Sequence, residues 1–586
     1  MASLRLLTLY LADRFPRCSR VDRCCKSGLN LDVADTTVTA ETSVLIVGAG
    51  PVGLTLALDL GRRGVDCLLV ERNAAPMQLP KMERCNGRTM EIYRRLGIAE
   101  AIRDAGLPRE APMDVFLTTS LMDPPIAHLP CPSVSTAKAD IAAHNDGTRL
   151  LEPYQLISQY TLEPLLGTFV DALPSVNVRF GCELIAFEQT ADGVVATVQT
   201  SEAEPSQIRA AFLVGCDGGA STVRKQLGIR LEGQGGIRTL RQALFHCPDL
   251  YERIQTGKGR HYHIADGPLF PFIILQDSMR HWTLHAAAES DEAMAAIFAQ
   301  AVGAPLDFEM LSVNQWTQHL LCADRYGVGR VFIAGDAAHL VIPTGGLGMN
   351  TGVGDATDLA WKLAGTLAGW GGPGLLPSYE AERRPIGLRA IRASGAAMAG
   401  RLSWRAAYRP DARDDTPAGA ENRAELARLF DVEQRKITEI LGIEGGYQYV
   451  DSPIVWPEPG DRPDPDNPRY LPTTWPGARL PHVWLADGTA LHDHLGPGYT
   501  LLRLGPAPPD TTALEEAFRA RGAPLDVLTI HDPHVRQLYG HDLLLVRPDL
   551  HVAWRGDRPP SDPRQVAAVA TGWAPSGSIR VEDVTR

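Results

Sequence analysis

Three short stretches of this chain combine glycines, carboxylates and strand ends in the way that gripping a phosphorylated ligand requires. In the first, an apolar run of strand length, Val44–Val47, feeds Gly48-Ala49-Gly50-Pro51-Val52-Gly53, a G-x-G-x-x-G pattern. Gly48 permits a tight turn and Gly50 lets backbone N–H groups approach a pyrophosphate. Gly53 lets the next helix pack close to the sheet with its positive end toward the phosphates. Leu54, Ala57, Leu58 and Leu60 then recur at helical spacing, and Val65–Val70 gives a second strand ending in Glu71, with Arg72 after it. An acid about 20 residues past the glycines is where a ribose hydroxyl is held. Glycine turns alone also serve packing; with strand, helix and acid in register, this reads as a dinucleotide site.

The second and third stretches are strands that each run into an acid. Phe212–Val214 feeds Gly215-Cys216-Asp217-Gly218-Gly219, and Val331–Ala334 feeds Gly335-Asp336-Ala337-Ala338-His339. The latter continues through Pro343, Gly346, Gly348, Met349 and Asn350 to a helical pattern over Asp355–Ala368, with Ala356, Leu359, Ala360, Leu363 and Leu367 on one face. Both read as parts of the same nucleotide fold, separated by inserted material. Between them, Ile229–Leu321 carries β-like runs at Leu269–Leu275 and His281–Leu284, and is expected to form a sheet over the ligand.

A chain of 586 residues exceeds one ordinary domain, and two to four are expected. Its 44% hydrophobic and 22% charged content is that of a globular protein, and the net charge of -12 argues against a nucleic-acid partner. No apolar run is long enough for an integral membrane segment. All 10 cysteines lie at or before Cys322 without metal-type spacing, which fits free thiols in the cytoplasm. Residues 1–43 read as a disordered extension. Its Arg5, Arg14, Arg17, Arg20, Arg23 and Lys26 raise a mitochondrial alternative, against which Asp13, Asp22 and Asp32 count. From 401 to 455 the pattern is charged and helical. A Pro- and Asp-rich linker follows, and 456–586 ends in a cysteine-free module read as β, α, β, β, β, of thioredoxin-like pattern.

With its three glycine-rich signatures in this order, the sequence resembles the class A flavoprotein monooxygenases, and among them the phenol hydroxylase and chlorophenol monooxygenase group. The resemblance implies an α/β fold in which an FAD-binding dinucleotide unit over 44–400 is interleaved with a β-sheet substrate domain, here about 229–321, followed by the thioredoxin-like domain. It implies FAD held at Gly48, Gly50, Gly53 and Glu71, at Asp217 and Gly218, and at Asp336 through the ribityl hydroxyls. Pro343 to Asn350 wrap the flavin edge, and the helix after them aims its N-terminus at the ring. Asn86-Gly87-Arg88-Thr89-Met90-Glu91-Ile92 and Ser158-Gln159-Tyr160 match further family segments, so Arg88 and Gln159 inherit places beside the cofactor. Lys81 stands where the family has Arg, and His339 reads as a packed structural residue.

The implied activity is that of a monooxygenase in which NADPH or NADH reduces FAD. O2 then gives a flavin C4a-hydroperoxide that hydroxylates a phenolic or polycyclic aromatic substrate. Only one complete dinucleotide unit is present, so the nicotinamide nucleotide is expected to bind transiently across the FAD, and a homodimer is a possible assembly. A phenol near its usual pKa of about 10 is a poor nucleophile. Candidates for a base or positive field are therefore Glu83, Arg84, His261, Tyr262 and His263, among which the sequence does not choose. His261 and His263 share a strand face as ordinary sheet histidines, and no metal is assigned. Alternatives are a Baeyer–Villiger or epoxidising tailoring enzyme, and a non-catalytic flavin-binding assembly protein.

Overall fold

The computed structural model describes residues 39–201, 204–265 and 271–578. Residues 1–38 of the expected extension, and Leu269 and Phe270 of the run Leu269–Leu275, lie outside them. The first strand is Thr39–Val47, so it starts before the apolar run: Thr39–Thr42 already pair with Gln207–Ala210. Residues 39–43 therefore belong to the fold rather than to the extension. Their alternating, half-polar character hid them, because only the far end of the strand is buried on both faces.

That strand lies at the centre of a sheet with parallel neighbours on both sides. Cys67–Glu71 and then Val176–Phe180 flank it on one side, Ser206–Gly215 and then Val331–Ile333 on the other. All three glycine-rich stretches thus leave the carboxyl ends of strands in one sheet, where α/β folds bind their ligands. An antiparallel hairpin, Cys182–Gln189 with Val194–Thr200, extends the sheet from Ser206–Gly215.

The second sheet has eight strands and centres on two long ones, Leu231–His246 and Glu309–Ala323, with Phe272–Leu275, His281–Ala286 and His261–Ile264 beside them. It is wider than the segment 229–321 read from the sequence. Val115–Thr118 pairs in parallel with His261–Ile264, Ala127–Leu129 adds an edge, and His339–Leu340 closes the other side. Those strands are two to four residues long, too short for an alternation signal.

The cysteine-free module forms a four-stranded sheet. Tyr499–Leu504 runs parallel to Leu525–Ile530 and antiparallel to Leu543–Val546, which pairs with Val552–Gly556. Helices Thr512–Arg519, Pro533–Tyr539 and Pro563–Ala570 pack with it; the second and third go beyond the β, α, β, β, β reading. This module does not hang from a linker. Trp361, Trp370 and Leu375 share one buried core with Tyr499, Leu501, Phe518, Leu543 and Leu545. Arg547, fully buried, bonds Glu382 (2.9 Å), Asp358 (3.1 Å) and Asp549 (2.6 Å), while Lys362 reaches Asp358 at 2.7 Å. Among the described residues the cysteines are free, and no helix is long and apolar enough to cross a membrane.

Candidate active site

A cavity of about 720 Å³ opens between the carboxyl ends of the parallel strands and the second sheet. That is within the roughly 300–1,000 Å³ of small-molecule sites, toward the upper end. Val47, Glu71, Cys216 and Ala334 stand where the four strands end, and Gln242, Ile274, Thr283 and Trp316 line the opposite wall. Gln242 ties the two halves by donating to the carbonyl of Pro80.

The three glycines of the first signature do different work. Gly48 has φ 105°, and a side chain there would meet the Cys216 carbonyl oxygen at 2.5 Å. At Gly53 a Cβ would lie 2.0 Å from the Gly48 carbonyl oxygen. Both are required by the turn and by helix packing. Gly50 differs: the nearest atom to a Cβ is a Glu163 carboxylate oxygen at 3.9 Å. The space in front of Gly50 is left open by the protein, as a diphosphate lying against the N-terminus of helix Pro51–Arg62 requires. Glu71 lines the cavity and accepts from the Ala49 N–H at 2.9 Å, so it fixes the turn with one oxygen while the other takes the Asn73 N–H at 2.8 Å. Arg72 is exposed on the rim.

Asp217 caps the short helix Thr222–Gln226 with Oδ2, which accepts from Thr222 (2.7 Å) and Val223 (3.1 Å). Its Oδ1 is buried and has no partner among the described residues, an arrangement that a ligand hydroxyl or bound water completes. Gly218 beside it has φ 77° with nothing near a Cβ position. Asp336 is exposed to the cavity, and the protein packed around it desolvates its carboxyl and pushes it above the usual range. His339 is not in the cavity wall. Its Nε2 lies 2.8 Å from Asp355, which also takes Arg383 (2.8 Å) and the Gly335 N–H (3.1 Å). Burial raises the Asp355 carboxyl, but His339 and Arg383 outweigh it and hold it low. This buried knot anchors the third signature.

Pro343, Gly346, Gly348, Met349 and Asn350 all line the cavity. Asn350 accepts from the Asn86 N–H at 2.8 Å and donates to the Arg84 carbonyl at 3.1 Å, stapling two loops at the cavity edge. The helix expected from Asp355 begins instead at Gly348, so its N-terminus is in the cavity wall. Gly348, Gly352 and Gly354 masked its start, since glycine carries little helix signal. A Cβ at Gly352 would meet Val52 and Gly335 at 2.6 and 2.9 Å, so close packing on the first signature explains the glycine. Gln159 lines the cavity and donates to Glu163 at 2.6 Å.

At the far end, His261 Nε2 sits 2.8 and 2.9 Å from the two oxygens of Glu83. Burial acts to raise the Glu83 carboxyl, but His261, Arg260 and Arg84 together bring it down to about 2. Burial lowers His261 to about 4, with Arg260 and Arg401 opposing its charge and Glu83 only partly compensating. Glu83 has permanently charged guanidinium neighbours, so at neutral pH it is the ionised partner and His261 the neutral one. Arg84 lines the wall while donating to Gly345 (2.8 Å) and Glu444 (2.7 Å).

The structure does not bring every expected residue here. Arg88 is turned away from the cavity and donates to the Asp549 carbonyl at 2.9 Å. Helix Gly87–Arg95 presents it to the C-terminal module instead, so its place beside the cofactor is not supported. Tyr262 points to the opposite sheet face, its hydroxyl bonded to Gly257 and Gly259. His263 is fully buried, stacked on Phe272 at 4.6 Å against Trp404 and Phe430. Conversely, Arg260, His285, Arg401 and Arg405 line the cavity and were not expected. Arg401 and Arg405, an i,i+4 pair on helix Ser378–Ala406, show that the 401–455 segment is a wall of the site rather than an appendage. Their spacing beside Met398 and Leu402 was the available signal.

Comparison with known proteins places these features in context. Residues 41–394 match the FAD binding domain family, and 473–576 the C-terminal domain of aromatic-ring hydroxylases. The FAD-dependent monooxygenase apdD of Emericella nidulans is 34% identical over 568 residues, covering 91% of this chain and 90% of its own. A putative polyketide hydroxylase of Streptomyces halstedii is 33% identical, covering 88% and 93%. The structure of chromopyrrolic acid-soaked RebC with bound 7-carboxy-K252c superposes with a TM-score of 0.84 at 34% identity, covering 92% of this chain and all of that one. RebC has also been solved with reduced flavin.

Proposed function

This chain belongs to the FAD-dependent monooxygenases that carry an aromatic-ring hydroxylase C-terminal domain, and from that premise we propose that it hydroxylates a polycyclic phenol at the expense of NADPH or NADH and O2. The observation that carries this reading is one continuous cavity. It runs from a backbone cradle at Gly50 to an end walled by flat rings and guanidinium groups, Phe272, Trp316, Arg260 and Arg401. The size of the cavity and its lining by flat rings favour a fused-ring substrate.

FAD, when bound, supplies the activation of O2 and the transfer of one oxygen atom. The residues fit it. Gly48, Gly50 and Gly53 with the helix Pro51–Arg62 hold the pyrophosphate, Glu71 the adenosine ribose, and Asp217 and Gly218 the diphosphate region. Asp336 takes ribityl hydroxyls. Pro343, Gly346, Gly348, Met349 and Asn350 border the isoalloxazine, where the N-terminus of helix Gly348–Leu367 favours negative charge. Gln159 faces the same space. The nicotinamide nucleotide docks transiently across the cavity, because only the first signature forms a complete strand–turn–helix dinucleotide unit. The ring wall excludes water and sets the substrate plane.

The test is a panel of phenols and hydroxyanthraquinones added to the yellow protein. At least one is expected to stimulate NAD(P)H consumption, with a product heavier by one oxygen; NAD(P)H oxidation indifferent to every compound would overturn the reading. Asp336→Ala is expected to weaken FAD by about 1.5–3 kcal/mol, the worth of a hydrogen bond to a charged group. Fluorescence titration of the apoprotein with FAD measures it.

A further inference from the structure

We propose that His261 is the base that removes the proton from the substrate's phenolic hydroxyl, with Glu83 the positioning residue that fixes its tautomer and steadies the imidazolium formed. The inference rests on the hydroxylase reading above and supplies the residue that reading leaves unassigned. Its ground is geometric. His261 opens strand His261–Ile264, held between Val115–Thr118 and Phe272–Leu275, so its backbone is fixed on both sides. Glu83 comes from the loop before strand Arg84–Cys85, and its carbonyl accepts from Ile157 at 2.9 Å. The pair thus joins a strand and a loop tethered at Ile157, 178 residues apart in the chain.

Both carboxylate oxygens face His261 Nε2 at 2.8 and 2.9 Å, which places the ring proton on Nε2 and leaves the lone pair on Nδ1. Among the described residues Nδ1 has no hydrogen-bond partner, nor is it one of the sealed, unpartnered buried atoms; the residue lines the cavity. An acceptor of proton without a partner, in a cavity built for aromatic rings, is placed to meet a hydroxyl. The other titratable candidates lack this arrangement. Tyr262 is bonded on the far face and His263 is sealed among aromatic rings. His285 lines the cavity beside Phe272 and Trp316, with no carboxylate on its ring among the described residues.

The transfer balances simply. The phenolic O–H bond breaks, an Nδ1–H bond forms, and the electron pair stays on the substrate oxygen as phenolate. The imidazolium is then neutralised by Glu83 on its other side. Facing the pair are Arg84, Arg260, Arg401, His263 and His285. The guanidinium groups weaken His261 as a base but stabilise the phenolate, so the proton moves toward a site whose product is an anion among cations.

Alizarin, whose colour reports ionisation of its phenol, is the probe for the FAD-loaded protein. Bound to the parent it is expected to be phenolate at pH values where it is neutral in solution. In His261→Gln the pH of ionisation of the bound dye is expected to rise by about one unit or more, tenfold in the equilibrium. Glu83→Gln is expected to shift it the same way by less, with FAD affinity unchanged in both. With the substrate found by the panel, kcat of both variants is expected to fall at low pH and recover as pH rises, with KM little changed. Dye that ionises identically in parent and variants overturns the dyad while leaving the hydroxylase reading intact. A parent that binds no compound of the panel overturns that reading, and the dyad with it.

Discussion

Gly50→Val is expected to give a folded but colourless protein. A Cβ at this position meets no protein atom beyond its chain neighbours closer than a Glu163 oxygen at 3.9 Å, so the fold has room for a side chain there. It fills the place of the diphosphate. Losing two charge-assisted hydrogen bonds from backbone N–H groups, at about 1.5–3 kcal/mol each, weakens FAD by about 3–6 kcal/mol, or roughly 10²–10⁴-fold. Gly53→Val, three residues on, is expected to fail differently: a Cβ 2.0 Å from the Gly48 carbonyl oxygen breaks the turn and yields little folded protein. Flavin absorbance of the purified variants, with circular dichroism of each, separates the two outcomes. A Gly50→Val protein that stays yellow would mean the diphosphate lies elsewhere.

Arg547→Met is the substitution expected to cost the most stability. It removes the cation shared by Glu382, Asp358 and Asp549, all buried, and leaves Lys362 with Asp358 and Glu382, and Asp549 with only His551 beside it. Breaking a buried ion pair on one side costs about 3–5 kcal/mol, a large part of the roughly 5–15 kcal/mol that holds a protein folded. Glu382 contributes to the pH dependence with a sign opposite to that of Asp358, whose carboxyl burial holds well above the usual range. In the parent, burial raises Glu382 but Arg547 and Lys362 bring it down to about 2. A carboxyl held low contributes stability above its unfolded pKa and loses it as pH falls toward the folded value. Without Arg547 that pKa climbs, so acid unfolding of the variant is expected to begin at a higher pH than the parent's. Thermal melts across an acid series, followed by flavin fluorescence, give both numbers; unchanged melting would show that the cluster carries no net stability.

How much of this was legible in the sequence follows from how local each determinant is. The strands entering Gly48, Gly215 and Gly335 and the carboxylates Glu71, Asp217 and Asp336 are written within a few residues of one another, and the structure collects them at one sheet edge. Arg88 shows the opposite case. Its helix was read from a local motif, but its partner is the carbonyl of Asp549, 461 residues away. Nothing near Arg88 announces that partner. The second sheet was read from its long interior strands, whereas Val115–Thr118, which holds His261 in place, is four residues long and arrives from outside the inserted segment. Glu83 and His261 both stand among the sequence's candidates for a base, but nothing in the sequence joins them, because a contact between a loop and a strand leaves no periodicity.

The link through Arg547 also bears on how the protein is made. The ribosome releases the chain from the amino end, and Glu382 emerges 165 residues before the arginine that pairs with it. At about 5–20 residues per second, that interval is roughly 8–33 s. Throughout it the nascent flavin half holds Asp358, Lys362 and Glu382 without their fourth partner, and the faces of Trp361 and Trp370 without the sheet that covers them. The cradle is spelled out early, and Asp355 ties helix Gly348–Leu367 to it from within the flavin half, but the surroundings of Asp358 and Trp361 are completed only when the final strands arrive. The cluster is therefore completed only after Arg547 is made, and a message cut short between Asn350 and Arg547 specifies a chain with the signatures for the cofactor but without the cation that ties helix Gly348–Leu367 to the final strands.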